Sequence, residues 1–203
     1  ANFEPGQLGL AHGGQISVSH TRDNLRLDLM TGVLRESNTI LGAQTGGLLS
    51  LGGGDTMYIN ATAQYDLGSD LTLYARSTFA RTTGDANGDF IMGLSSIDSN
   101  SFAIGADVGP VTLTLARPLG VTRGHMQYAH AEYDVVQNAD GKYELNVVDT
   151  HVADLNLSPR HRELRLMAEY RRPLGKFTDG AFGMIYRIHP NNTDEFGNES
   201  IFM

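Results

Sequence analysis

A serine nucleophile needs a base to activate it and a strained turn to expose its hydroxyl. The nearest candidate is Ser50, in Gly47-Leu48-Leu49-Ser50-Leu51-Gly52, and it lacks the Gly-x-Ser-x-Gly spacing. A strand or loop serine is the expected role. The seven histidines are scattered along the chain. His125 and His130 fall in an apparent strand at an odd spacing, which points them to opposite faces. His151 and His161 flank a loop. None shows His-Glu-x-x-His or another zinc spacing. Asp85-Ala86-Asn87-Gly88-Asp89 and Asn138-Ala139-Asp140-Gly141 are superficially like calcium loops, but each lacks the later bidentate glutamate. Both read more simply as hairpin turns. The acidic stretch Asp194-Glu195-Phe196-Gly197-Asn198-Glu199 reads as a solvated loop. Gly52-Gly53-Gly54-Asp55 lacks the Lys-Ser/Thr of a phosphate-binding loop. No catalytic residue, no cofactor-binding residue and no metal ligand is expected in this chain.

The bulk properties narrow the classes further. A chain of 203 residues can form one domain, expected over 1–203. With 40% hydrophobic and 19% charged residues it is too apolar for a disordered tail. The 24 glycines and 6 prolines suit a sheet with many turns. There is no cysteine, which excludes disulfides and thiolate metal sites. A formal charge of −8 argues against a nucleic-acid partner, which would need clustered Lys and Arg. No apolar run reaches the roughly 18 residues of a membrane-spanning helix. The residues Ala1-Asn2-Phe3-Glu4-Pro5-Gly6 show no signal-peptide pattern, and the expectation is an excised piece or a mature fragment.

The dominant signal is alternation with period two, the mark of strands whose faces meet different surroundings. Met57, Ile59, Ala61, Ala63 and Tyr65 share one face, opposite Thr56, Tyr58, Asn60, Thr62 and Gln64. After Asp66-Leu67-Gly68-Ser69 the pattern resumes with Leu71, Leu73 and Ala75 against Thr72, Tyr74 and Arg76. Leu164, Leu166, Ala168 and Tyr170 oppose Glu163, Arg165, Met167, Glu169 and Arg171. Further strands are expected near 15–20, 24–34, 88–95, 101–108, 111–117, 124–136, 142–149, 180–188 and 199–203. The glycines of 36–54 weaken any strand there. Arg117-Pro118-Leu119-Gly120 and Arg172-Pro173-Leu174-Gly175 read as turns. Longer polar connections are expected at 82–88, 150–161 and 189–198. The expected fold is all-β, an antiparallel up-and-down meander closing into a β-barrel of about 10–12 strands. Alternation alone leaves open which face is inside.

Several segments add a resemblance through their order and spacing. They are Gly32-Val33-Leu34-Arg35-Glu36 with Leu41-Gly42-Ala43, Leu71-Thr72-Leu73-Tyr74-Ala75, and Ser99-Asn100-Ser101-Phe102-Ala103. Further on come Ala116-Arg117-Pro118-Leu119, Arg162-Glu163-Leu164 and Tyr186-Arg187-Ile188-His189-Pro190. Together they resemble the autotransporter-like C-terminal β-domain of bacterial subtilisin-like serine proteases, from about residue 8 onward. In that family the catalytic Asp, His and Ser belong to an upstream domain. The glycine-threonine-serine-methionine-alanine motif around the nucleophile is absent here, so no catalytic residue carries over. The resemblance implies a secreted serine endopeptidase as parent, with this chain as its non-catalytic barrel. It would anchor or export the catalytic part at the outer membrane, with the upstream protease domain and outer-membrane lipid as partners. The alternative is a soluble periplasmic or extracellular β-domain acting as an accessory or interaction module.

Overall fold

The structure, a computed structural model, describes residues 10–37, 39–40, 43–44, 51–68, 70–86, 90–137, 142–173, 178–192 and 196–199. The strands are β1 (Leu10–Arg22), β2 (Leu25–Ser37), β3 (Thr39–Ile40), β4 (Ala43–Gln44), β5 (Leu51–Gly68), β6 (Leu71–Ala86) and β7 (Ile91–Leu94). They continue with β8 (Ile97–Val108), β9 (Val111–Arg123), β10 (His125–Gln137), β11 (Tyr143–Asn156), β12 (Leu164–Pro173), β13 (Asp179–Ile188) and β14 (Phe196–Glu199). A single 3-10 turn, Pro190–Asn192, is the one helical element among the described residues. Nine strands form one antiparallel sheet in the order β1-β2-β5-β6-β8-β9-β12-β13-β14. β11, β10 and β7 form a second, three-stranded sheet, and β3 pairs with β4. The period-two segments are thus antiparallel strands in a meander, as expected.

The ends of the main sheet differ. The connections at 23–24, 69–70, 109–110 and 174–178 are short and share one end. Asp66 N donates to Asn24 O at 2.9 Å, Gly109 N to Asp70 O at 2.8 Å and Arg171 N to Pro110 O at 2.8 Å, so neighbouring turns are linked. Gly109 holds φ 55°, a left-handed conformation that the two-residue link Gly109-Pro110 requires and that glycine adopts without steric cost. The intervening connections, 38–50, 87–96, 124–163 and 189–195, are longer and lie at the other end. The second sheet is built from two of them.

Several expectations need correction. The strands run longer than the alternation suggested: Gly52, Gly53 and Gly54 lie inside β5, and 82–86 belong to β6. A glycine run is tolerated there because the ladder to β2 and β6 supplies the backbone order. Arg117-Pro118-Leu119-Gly120 is not a turn. It lies inside β9, where the register with β8 shifts between Asn100 and Phe102. Proline removes one donor from the ladder, and a bulge is where a strand accommodates that. Arg172-Pro173 does end β12. His151 is a residue of β11 rather than a loop flank. Closure is the largest departure. Among the described residues no strand pairs with the outer edge of β1 or of β14, so the sheet is open.

A repeated device on one face ties this sheet across three strands at a time. Tyr58 of β5 lies opposite Gly32 of β2, and beyond Gly32 stands Gln15 of β1. The Tyr58 hydroxyl crosses over the glycine and donates to Gln15 Oε1 at 3.0 Å. Tyr74 of β6 does the same in the other direction, over Gly105 of β8 to Thr114 Oγ1 of β9. Each ring occupies the volume a side chain would fill: a Cβ at Gly32 would stand 2.6 Å from Tyr58 Oη. Each tyrosine therefore spans three strands.

Gly105→Ala is expected to destabilise the fold by about 1–3 kcal/mol, the usual range for forced overpacking. Its methyl would meet both Tyr74 and the Leu113 carbonyl oxygen. Because that carbonyl is backbone, adding Tyr74→Ala should recover only part of the loss. Gly183→Ala, whose Cβ would lie 3.8 Å from Ala168 O, should be neutral or stabilising. Urea unfolding midpoints for the three variants test this, and equal losses at 105 and 183 would refute it.

Candidate functional site

The two faces of the main sheet have opposite chemistry. The Tyr58 face carries Thr56, Asn60, Thr62 and Gln64 of β5, and register places Thr72, Tyr74, Arg76 and Thr78 of β6 beside them. Asp107, Thr112, Thr114, Arg165 and Glu169 continue this face across β8, β9 and β12. Its side chains satisfy one another. Asn60 Nδ2 donates to Thr78 Oγ1 at 2.7 Å, Thr72 Oγ1 to Asp66 Oδ1 at 2.7 Å and Thr112 Oγ1 to Asp107 Oδ1 at 2.6 Å. Thr56 and Thr82 are buried and share a 2.8 Å hydrogen bond. A polar hollow of about 450 Å³ spans five strands here, with Gln64, Arg76, Asp107 and Met167 in its wall.

The opposite face is apolar and open. Ile16, Val18, Leu29, Val33, Met57, Ile59, Leu73, Phe79, Ile104, Leu113, Leu166, Phe182 and Met184 all lie on it, each at least two-fifths exposed. Among the described residues the only fully buried apolar side chains are Ile91 and Ile97. Burying one Leu or Ile stabilises a protein in water by about 1.5–3 kcal/mol. A face that leaves so many uncovered is a large unrealised stabilisation, and it far exceeds an ordinary apolar patch.

The apolar face is a band with two margins. Beside the short turns stand Tyr65 and Tyr170, whose amphipathic rings suit an apolar-to-aqueous boundary. Toward the long connections the band ends in charge. Arg35 Nε donates to Asp55 at 2.7 Å, and Arg81 Nε to Asp98 at 2.7 Å. Between these margins Met57 to Tyr65 spans nine residues. That is the length a strand tilted by about 45° needs to cross a bilayer.

At the long-connection end Glu163 forms the most buried charged cluster. Its carboxylate accepts from Arg165 Nε at 2.6 Å, Arg187 Nε at 2.7 Å, Arg187 Nη2 at 2.9 Å and Asn191 N at 3.0 Å. The Glu163 amide donates to Asn192 Oδ1 at 3.1 Å. The turn so held contains His189, Asn191 and Asn192, with φ of 52°, 56° and 62°. Left-handed φ costs non-glycine residues about 1–2 kcal/mol each, so the turn depends on these bonds. The Arg187 guanidinium is the main cause that holds the Glu163 carboxyl below its ordinary 4.5, at about 2; burial opposes this, while Arg165 and the Asn191 amide assist.

Sequence reasoning named no site residue, and the structure places its rejected candidates apart. Ser50, 87–89, 138–141 and 194–195 lie outside the described residues. His125 and His130 point to opposite faces of β10. His151 Nε2 lies 3.3 Å from Asp149 and 4.0 Å from Glu132. His161 packs against His189 with ring centroids 4.7 Å apart and planes tilted by 34°. Among the described residues no trio of His, Asp or Glu is arranged to hold a metal ion. Sequence reasoning missed the tyrosine brackets and the Glu163 cluster, because both depend on which strands are neighbours. No family model, curated protein or solved structure matches this chain.

Glu163 carries a pH dependence. Its pKa is lowered on folding, so its stabilisation is complete above about pH 4.5 and is lost as pH falls through about 2. The shift corresponds to roughly 3 kcal/mol. Amide exchange at 189–192 should therefore accelerate progressively as pH falls from 4.5 to 2, after correction for intrinsic exchange. Glu163→Gln should show fast exchange already at neutral pH and lose this acid step. An unchanged step in the variant would refute the assignment.

Proposed function

We propose that this chain is a non-catalytic, membrane-embedded β-domain of the bacterial cell envelope. The apolar face meets lipid, the polar face lines an aqueous path, and the two free edges of the sheet are paired to close a barrel. One observation carries this reading: the large side chains left uncovered on one face are apolar, while the opposite face satisfies its polar groups by hydrogen bonds across the strands. Strand length, the tyrosines at the turn margin and the alternation of short and long connections are what a transmembrane barrel requires.

The resemblance to the β-domains of subtilisin-like proteases supplies the biological role. The domain anchors or exports an upstream serine endopeptidase at the outer membrane and contributes no reacting group. Such a role needs only a closed wall without lipid-exposed backbone and a polar interior.

Site-directed spin labelling tests the central claim, and a chain without native cysteine needs no background removal. Single cysteines replace Ala61, Leu73 and Leu166 on the apolar face, and Thr62, Thr78 and Thr112 on the polar face. In vesicles the first set should relax with oxygen dissolved in lipid and the second with an aqueous nickel chelate. If the chain is instead monomeric without detergent and the first set is closed to both probes, the apolar face is a protein interface. The domain is then a soluble accessory module.

A further inference from the structure

The charged margin of the apolar band is neutralised over one part and not over another. Across β2, β5, β6 and the start of β8 it consists of the Arg35–Asp55 and Arg81–Asp98 pairs. Across β8, β9 and β12 the last apolar residues are Phe102, Leu115 and Leu164, and beyond them come Asn100, Arg117 and Arg162. Arg162 Nη2 donates to Asn100 O at 2.7 Å and Pro118 O at 3.1 Å, and its Nη1 donates to Asn100 Oδ1. Its guanidinium is thereby fixed against the β9 bulge. Arg117, the residue before Pro118, lies over the Phe102 ring at 5.2 Å. Neither arginine forms an ion pair with any described residue, and the Nε of each is buried without a hydrogen-bond partner. Burial, and then the neighbouring Arg117 charge, push Arg162 below the ordinary guanidinium value. Arg162 spends its Nη groups on the bulge, so the idle fork is that of Arg117. Two adjacent guanidinium charges with no carboxylate paired to either among the described residues are costly unless an anion completes them.

We infer that Arg117 and Arg162 bind the phosphate of an anionic lipid headgroup at the edge of the bilayer. The inference rests on the membrane reading above, which puts this margin at headgroup depth. The planar fork of Arg117, with the Arg162 charge beside it, matches a phosphate better than a single-point acceptor. Beside the arginines on the same face lies an apolar hollow of about 710 Å³ walled by Ile104, Leu113, Leu115 and Leu166. It offers acyl chains a bed that a free phosphate would leave empty.

The test compares the whole chain in phosphatidylcholine vesicles with and without phosphatidic acid, reading co-extracted lipid by native mass spectrometry. Wild type should enrich phosphatidic acid about tenfold over its bulk fraction, the equivalent of one hydrogen bond to a charged group. Arg117→Gln with Arg162→Gln should abolish the enrichment. Because Arg162 also braces the bulge, Arg117→Gln alone is included; Arg117 makes no hydrogen bond to lose, and enrichment should still fall markedly. Insertion into both vesicle types without enrichment, or enrichment untouched by either variant, overturns this inference alone. Displacement of the lipid by equimolar inorganic phosphate overturns the lipid assignment in favour of a soluble anion. Failure to enter any vesicle sinks the membrane reading itself.

Discussion

Two tyrosine hydroxyls tie the main sheet across its strands. Tyr58 and Tyr74 start from the adjacent central strands β5 and β6, and each reaches outward over a glycine to the second strand away. A tyrosine can lie flat only where the intervening residue has no Cβ, so Gly32 and Gly105 are part of the same device. Both brackets lie on the polar face, and each joins three strands of the nine-stranded sheet.

The usual sources of stability are then rearranged. A two-layer domain buries apolar side chains between its layers, and here, among the described residues, the only buried apolar side chains are Ile91 and Ile97, near the departure of the second sheet. What replaces a core is the continuous ladder together with cross-strand polar contacts such as Asn60 with Thr78 and Thr56 with Thr82. Ends need separate fastening, because a ladder gives nothing beyond its last pair. The short end is fastened by turn-to-turn backbone bonds. The long end is fastened by Glu163, whose carboxylate joins β12, β13 and the strained turn that follows.

The parts of this arrangement legible in the sequence were those set by period. Met57-Ile59-Ala61 against Tyr58-Asn60-Thr62 fixes a strand and its two faces without knowledge of its neighbours. Strand ends were less legible, because glycine and proline act through context. Gly52-Gly53-Gly54 reads as a breaker in isolation, yet the flanking ladders hold it extended. Arg117-Pro118 reads as a turn, yet the register shift absorbs the missing donor. Sites built across strands were not legible at all. Tyr74 and Thr114 are forty positions apart, as are Arg117 and Arg162 within a few, and nothing local marks either pair.

Edges and faces finally bear on one another. β1 runs for thirteen residues with its outer edge unpaired among the described residues. In water such an edge is a hazard for aggregation, moderated by hydration. In hydrocarbon every unpaired N–H or C=O costs several kcal/mol, and no open edge persists. An apolar lipid-facing side and an unpaired long edge are therefore incompatible within a bilayer unless that edge acquires a partner strand. Pairing the two edges of the sheet would meet that condition, and it would turn the polar face, with its tyrosine brackets, to the inside.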